Sequence, residues 1–134
     1  MQYPVVIHKD PDSDYGATVP DLPGCFSAGD TVDDVLVQVT EAILCHIEGL
    51  MIDQESVPTP KSIELHQLNP DYAGGVWALV HIDLSKLSDK CRRINITLPE
   101  RLVHLMDRYA TAHGETRSGL IAQATLAYMA VNDD

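Results

Sequence analysis

Two hydrophobic periods follow one another along this chain. The opening Tyr3-Pro4-Val5-Val6-Ile7-His8 is apolar and β-branched, Asp10-Pro11-Asp12-Ser13-Asp14 supplies turn formers, and Tyr15-Gly16-Ala17-Thr18-Val19-Pro20 returns to strand composition, which predicts a hairpin. A short third strand over residues 25–28 follows the turn Asp21-Leu22-Pro23-Gly24. Gly29-Asp30-Thr31 then marks a helix start. The helix is predicted over residues 32–52, because Val32, Val35, Leu36, Val39, Ile43, Ile47 and Leu50 recur at steps of three and four and form one stripe facing a sheet. Pro58 and Pro60 interrupt the pattern, and Val76-Trp77-Ala78-Leu79-Val80-His81-Ile82-Asp83-Leu84 is the strongest strand signal, expected to be central or well buried. Residues 85–91 are polar and aperiodic and read as a linker between a front domain, 1–84, and a tail, 92–134.

From Arg92 the period is two: Arg93, Asn95 and Thr97 share one face, and Ile94, Ile96 and Leu98 the other. It then becomes helical. Pro99 suits a first helical position, Leu102, Leu105, Met106 and Tyr109 form a stripe, and Gly114 ends the helix. Thr116 can cap a second helix whose Leu120, Ile121, Ala124, Ala127, Tyr128 and Val131 lie on one face. The fold class is α+β. One amphipathic strand and two amphipathic helices in so short a segment cannot bury their apolar faces alone. A second copy pairing antiparallel is the simplest supplier of the missing strand. Arg93, Asn95 and Thr97 of both chains would then stand on one exposed ribbon that fits the major groove, able to bond guanine, adenine and thymine edges. The start of the second helix, with backbone N–H groups near Thr116, Arg117 and Ser118, would hold a phosphate.

Charge sharpens this division. Residues 1–89 carry 3 Lys+Arg against 15 Asp+Glu, and residues 90–134 carry 6 against 5. An acidic front repels nucleic acid and suits a basic protein, whereas the tail can still neutralise phosphates. The three cysteines, Cys25, Cys45 and Cys91, are far apart and lack CxxC spacing, which argues for reduced thiols rather than disulfides or zinc. No run approaches the roughly 20 apolar residues that cross a bilayer, and the N-terminus turns acidic early, so a cytoplasmic protein without membrane contact is expected.

The strings Arg93-Ile94-Asn95-Ile96-Thr97-Leu98-Pro99-Glu100 and Thr116-Arg117-Ser118-Gly119-Leu120-Ile121 resemble the ribbon-helix-helix repressors. The string Tyr15-Gly16-Ala17-Thr18-Val19-Pro20-Asp21-Leu22-Pro23-Gly24-Cys25-Phe26-Ser27-Ala28-Gly29-Asp30-Thr31, with the helix after it and Val57-Pro58-Thr59-Pro60, resembles the HicB antitoxins. That resemblance implies a truncated RNase H-like front domain that binds and blocks a HicA-type toxin, a small basic RNA-cleaving protein. It also implies a tail that binds operator DNA as a dimer and represses its own operon, with pairing of dimers into tetramers left open. No catalysis and no cofactor are implied. Candidate toxin contacts are the turn Asp21, Leu22, Pro23 and Cys25 and the acidic helix start Asp30, Asp33 and Asp34, although a solvated face is the commoner role for any one acid. The alternative is a stand-alone ribbon-helix-helix transcription factor whose front domain senses a small ligand.

Other chemistries fit the spacing poorly. Asp10, Asp12 and Asp14, with Asp21, imitate a calcium loop, but Pro11 is inserted and Gly16 comes one place late. A two-metal nuclease needs carboxylates converging from several elements, which acids in one turn do not supply. Ser27 misses the nucleophile-elbow spacing, and no two of the six histidines are four residues apart. Trp77, in an apolar run, is a packing residue.

Overall fold

Strand β1 (Gln2–Lys9) organises the first half of the molecule, because its residues from Tyr3 to Ile7 are buried on both faces. It pairs antiparallel with β2 (Tyr15–Thr18) on one side and with β4 (Val76–His81) on the other, and β3 (Phe26–Gly29) pairs with β2. The sheet order is β3-β2-β1-β4. The predicted hairpin is present, and the third strand begins one residue later than expected. Val6 lies opposite Thr18 and Trp77, and Tyr15 lies opposite Gly29.

The 21-residue helix α1 (Val32–Ile52) covers one face of this sheet with Val35, Val39, Ile43 and Ile47, members of the predicted stripe, all inaccessible to solvent. Each such side chain contributes about 1.5 to 3 kcal/mol through burial. Thr31 Oγ1 accepts from the Asp34 N–H at 3.0 Å, satisfying a donor that the helix start leaves open, and Asp34 Oδ2 accepts from the Asp30 N–H at 3.1 Å, fixing the chain just before the cap. Gly29 lets α1 approach: a Cβ there would stand 2.6 Å from the Val35 amide nitrogen. By length and composition α1 could span a bilayer, but here its apolar stripe lies on a sheet.

Residues 53–75 cross to the opposite face, where the pattern predicted no element. They form a short helix α2 (Ile63–His66) and a 3-10 turn (Pro70–Tyr72), whose His66 and Tyr72 rings lie against Trp77 at centroid distances of 6.2 and 5.8 Å. Strand β4 differs from expectation. It is an edge strand rather than a central one, with Val76 67% and Leu79 53% exposed. The strand buried on both faces is β1, which also has a neighbour, β2 or β4, along each of its edges.

The structure, a computed structural model, describes residues 1–87, 92 and 94–132, and divides into units Met1–Ile82 and Asp83–Asp134. In the second unit Leu84–Lys86 forms a 3-10 turn capped by Asp83, whose Oδ1 accepts from the Ser85 N–H at 3.0 Å and Oγ at 2.6 Å. The expected linker therefore begins inside a structured turn, and its residues 88–91 lie outside the described ones. Two helices follow, α3 (Glu100–Ala112) and α4 (Arg117–Asn132). Pro99 is the residue before α3 rather than its first member.

Candidate partner and nucleic-acid surfaces

The turn between β2 and β3 is built by local chemistry. Cys25 N–H donates to the Leu22 carbonyl at 2.9 Å across Pro23-Gly24, with Gly24 at φ +85°, the positive angle that a type II turn requires at its third residue. Asp21 is buried: its Oδ1 accepts from the Lys61 N–H at 3.1 Å, and its Oδ2 lies 3.0 Å from His66 Nε2. Leu22 and Cys25 are buried as well, and burial pushes the Cys25 thiol up, with a smaller contribution from Cys45. This corrects the expectation that the side chains of Asp21, Leu22 and Cys25 offer a contact surface: they hold the turn together. Pro23, Asp30 and Asp33 are exposed and Asp34 partly so. The acids at 10, 12 and 14 occupy the β1–β2 turn, which is closed by the Ser13 N–H donating to the Asp10 carbonyl at 3.1 Å. Among the described residues no group of three or more His, Cys, Asp or Glu is placed to hold a metal ion.

The second unit is defined by caps. Helix α3 ends in a Schellman motif: the Glu115 N–H donates to the Ala110 carbonyl at 2.8 Å and the Gly114 N–H to the Thr111 carbonyl at 3.3 Å, with Gly114 at φ +67°. Thr116 caps α4 as expected, its Oγ1 accepting from the Gly119 N–H at 3.0 Å. Arg117, expected at a phosphate, is also bonded within the unit. Its Nε and one terminal nitrogen donate to the two Asp107 oxygens at 2.7 and 2.6 Å, tying α4 to α3. That hydrogen bond holds the Asp107 carboxyl below its usual range and the Arg117 guanidinium above its own. Two of the five guanidinium N–H groups are engaged in this pair, and the fork geometry lets the same side chain serve a further acceptor. The Asp83 carboxylate stands beside the same helix start, where a Cβ on Gly119 would lie 2.9 Å from its Oδ1. A short strap of sequence thus brings a negative charge to the α4 N-terminus, which the spacing alone did not suggest.

Among the described residues, 94–98 make no strand ladder. Asn95 and Thr97 are exposed; Arg93 lies outside the described residues. Ile94 and Ile96 are 71% and 59% exposed. An apolar groove of about 570 Å³ is lined by Ile96, Leu98, Leu102, Leu105, Leu120 and Ile121, among others. Of the described residues in this unit only Leu84, Ala110 and Gly119 are buried.

A family model described as the HicB_like antitoxin of bacterial toxin-antitoxin systems matches residues 3–125. The chain belongs to this family. It is 46% identical to the HicB antitoxin of Burkholderia pseudomallei, whose crystal structure superposes with a TM-score of 0.78 over 94% of this chain and 96% of that one. It is 41% identical to a 14.9 kDa protein from the rep-hol intergenic region of Haemophilus phage HP1, covering 92% of this chain and 93% of the other. A chain of a HicA3 and HicB3 toxin-antitoxin complex matches 62% of this chain and 99% of its own length at 35% identity, with a TM-score of 0.54. This protein is thus a HicB-type antitoxin, as the front-half string Tyr15 to Thr31 implied.

Proposed function

We propose that this HicB protein neutralises a HicA-type RNA-cleaving toxin through its acidic front unit and represses its own operon through a dimeric ribbon-helix-helix tail. The front unit is read as a truncated RNase H-like domain that binds rather than cleaves. Charge supports the toxin half of the reading: residues 1–82 carry 2 Lys+Arg against 13 Asp+Glu, a surface matched to a basic RNA-binding protein.

One observation carries the tail. Residues 94–98 and the two helices expose Ile94, Ile96, Leu102, Leu105 and Tyr109 around an apolar groove, an arrangement that a second copy completes by pairing strand to strand and closing groove on groove. The paired strands would present Arg93, Asn95 and Thr97 to base edges, while Thr116, Arg117 and Ser118 would meet a phosphate at the start of α4. Asn95→Ala is expected to weaken binding to the duplex upstream of its own coding sequence by about 1 to 3 kcal/mol and to relax base preference, as is Arg93→Ala. Arg117→Ala is expected to weaken all duplexes alike. Fluorescence anisotropy on matched and scrambled duplexes measures both, and unchanged affinity in all three variants overturns the DNA reading.

A further inference from the structure

The single phenylalanine of the chain, Phe26, is 71% exposed on β3, an edge strand. Its orientation follows from its neighbours. Gly29 faces α1, since its missing Cβ would meet Val35, and Ser27 shares that face by the two-residue alternation of a strand. Phe26 and Ala28, both exposed, therefore point to the opposite side of the sheet. Among the described residues no strand lies beside the outer edge of β3, which makes that edge a place where a further strand can pair.

Charge surrounds this strip asymmetrically. Asp30, Asp33 and Asp34 follow β3 directly in sequence. The register Tyr15 to Gly29 brings the β1–β2 turn, with Asp10, Asp12 and Asp14, to the same end of the sheet. Lys9 is the one Lys or Arg of residues 1–60, and it lies over the Tyr15 ring. The other edge, β4, offers Val76 and Leu79 but is adjoined by Gly74 and Gly75 before it and Ile82 after it, with no comparable acid cluster in sequence. An aromatic anchor beside an open strand edge, with aspartates gathered at one end, is the arrangement that binds an extended segment of a basic protein.

We propose that the outer edge of β3 is where the front unit takes its basic partner: a partner strand pairs along residues 26–29, an apolar side chain packs on Phe26, and its Lys or Arg side chains lie over Asp30 and Asp33. This rests on the toxin-binding reading and narrows it to one surface, with the HicA-type toxin of the same host as occupant. Because Phe26 is mostly in water already, Phe26→Ser leaves the fold intact, which a thermal melt checks.

The test is calorimetric titration of that purified toxin into full-length protein carrying Phe26→Ser, Asp30→Asn with Asp33→Asn, or Leu79→Ser on the far edge. Phe26→Ser is expected to weaken binding by about tenfold or more. The double Asn variant should weaken it less and flatten its salt dependence, and Leu79→Ser should leave it within about twofold of the unaltered protein. Tight binding by Phe26→Ser, or a larger effect from Leu79→Ser, overturns the β3 surface while the toxin reading stands. Absence of binding by the unaltered protein overturns both.

Discussion

The Tyr3 hydroxyl donates to the Pro58 carbonyl at 2.7 Å, fastening the segment after α1 to the central strand. Burial raises its ionisation well above the ordinary phenol range, and the nearby Asp21 and Cys25 push in the same direction. The sign of the consequence follows from linkage. A phenol that stays neutral in the folded state while the unfolded chain ionises near pH 10 contributes stability that is fully present below that pH and lost as pH rises beyond it. Tyr3→Phe is expected to cost about 0.5 to 1.5 kcal/mol at neutral pH through the lost hydrogen bond. It should also flatten the fall in stability above about pH 10, since the ionising group is gone. Urea unfolding at a series of pH values separates the two effects, and an equally steep alkaline fall in the variant would assign that fall to another group. The turn from Asp21 to Cys25 shows the same dependence on a distant neighbour. An acid in a Pro-Gly turn reads as exposed in sequence, and only the meeting of that turn with Lys61 and His66, some 40 residues on, makes Asp21 an internal acceptor rather than a surface charge.

At the scale of elements, legibility followed how far each signal depends on distant partners. Helix α1 was readable to its ends because a capping threonine and a four-step apolar stripe are local. The edge position of β4 was not, since a run that is apolar on both faces does not say which neighbours a strand will have. Likewise α2 and the Pro70–Tyr72 turn are too short for a period and are held by His66 and Tyr72 meeting Trp77. Phe26 gives no sequence signal of a surface role, because an aromatic in a short strand reads as core. The cap of α4 was legible in Thr116, but the Asp83 carboxylate beside Gly119 was not, because 36 residues separate them. That carboxylate matters if a DNA phosphate sits at the start of α4. Two like charges about 4 Å apart in a water-like dielectric repel by about 1 kcal/mol. Asp83→Asn should therefore tighten duplex binding by about fivefold at low salt, with the gain shrinking as salt screens it. Anisotropy titrations at two salt concentrations read this directly. Equal affinity of variant and parent would place the phosphate elsewhere.

At the scale of the whole molecule, the acidity is confined to one unit: residues 1–82 carry the excess of acids, while residues 83–134 carry 7 Lys+Arg and 7 Asp+Glu. The two units also differ in how they stand as single chains. The first buries Tyr3, Val5, Val6, Ile43 and Ile47 completely, whereas the second leaves most of its described apolar side chains at least partly in water. Stability of the second unit should then depend on association, and by mass action its unfolding midpoint should rise with protein concentration while that of the first does not. Ile96→Glu tests the link to function, because it places a charge in the proposed strand pair and groove without touching the front unit. The variant is expected to sediment as a monomer in its tail-mediated contact, to lose concentration dependence in the second transition, and to release the duplex, while toxin binding through the front unit is preserved. Calorimetric melts over a roughly hundredfold range of concentration, read beside sedimentation, decide the matter. Were Ile96→Glu to keep both its assembly state and its DNA affinity, the exposed Ile94 and Ile96 would have to be covered by something other than a second copy of this chain.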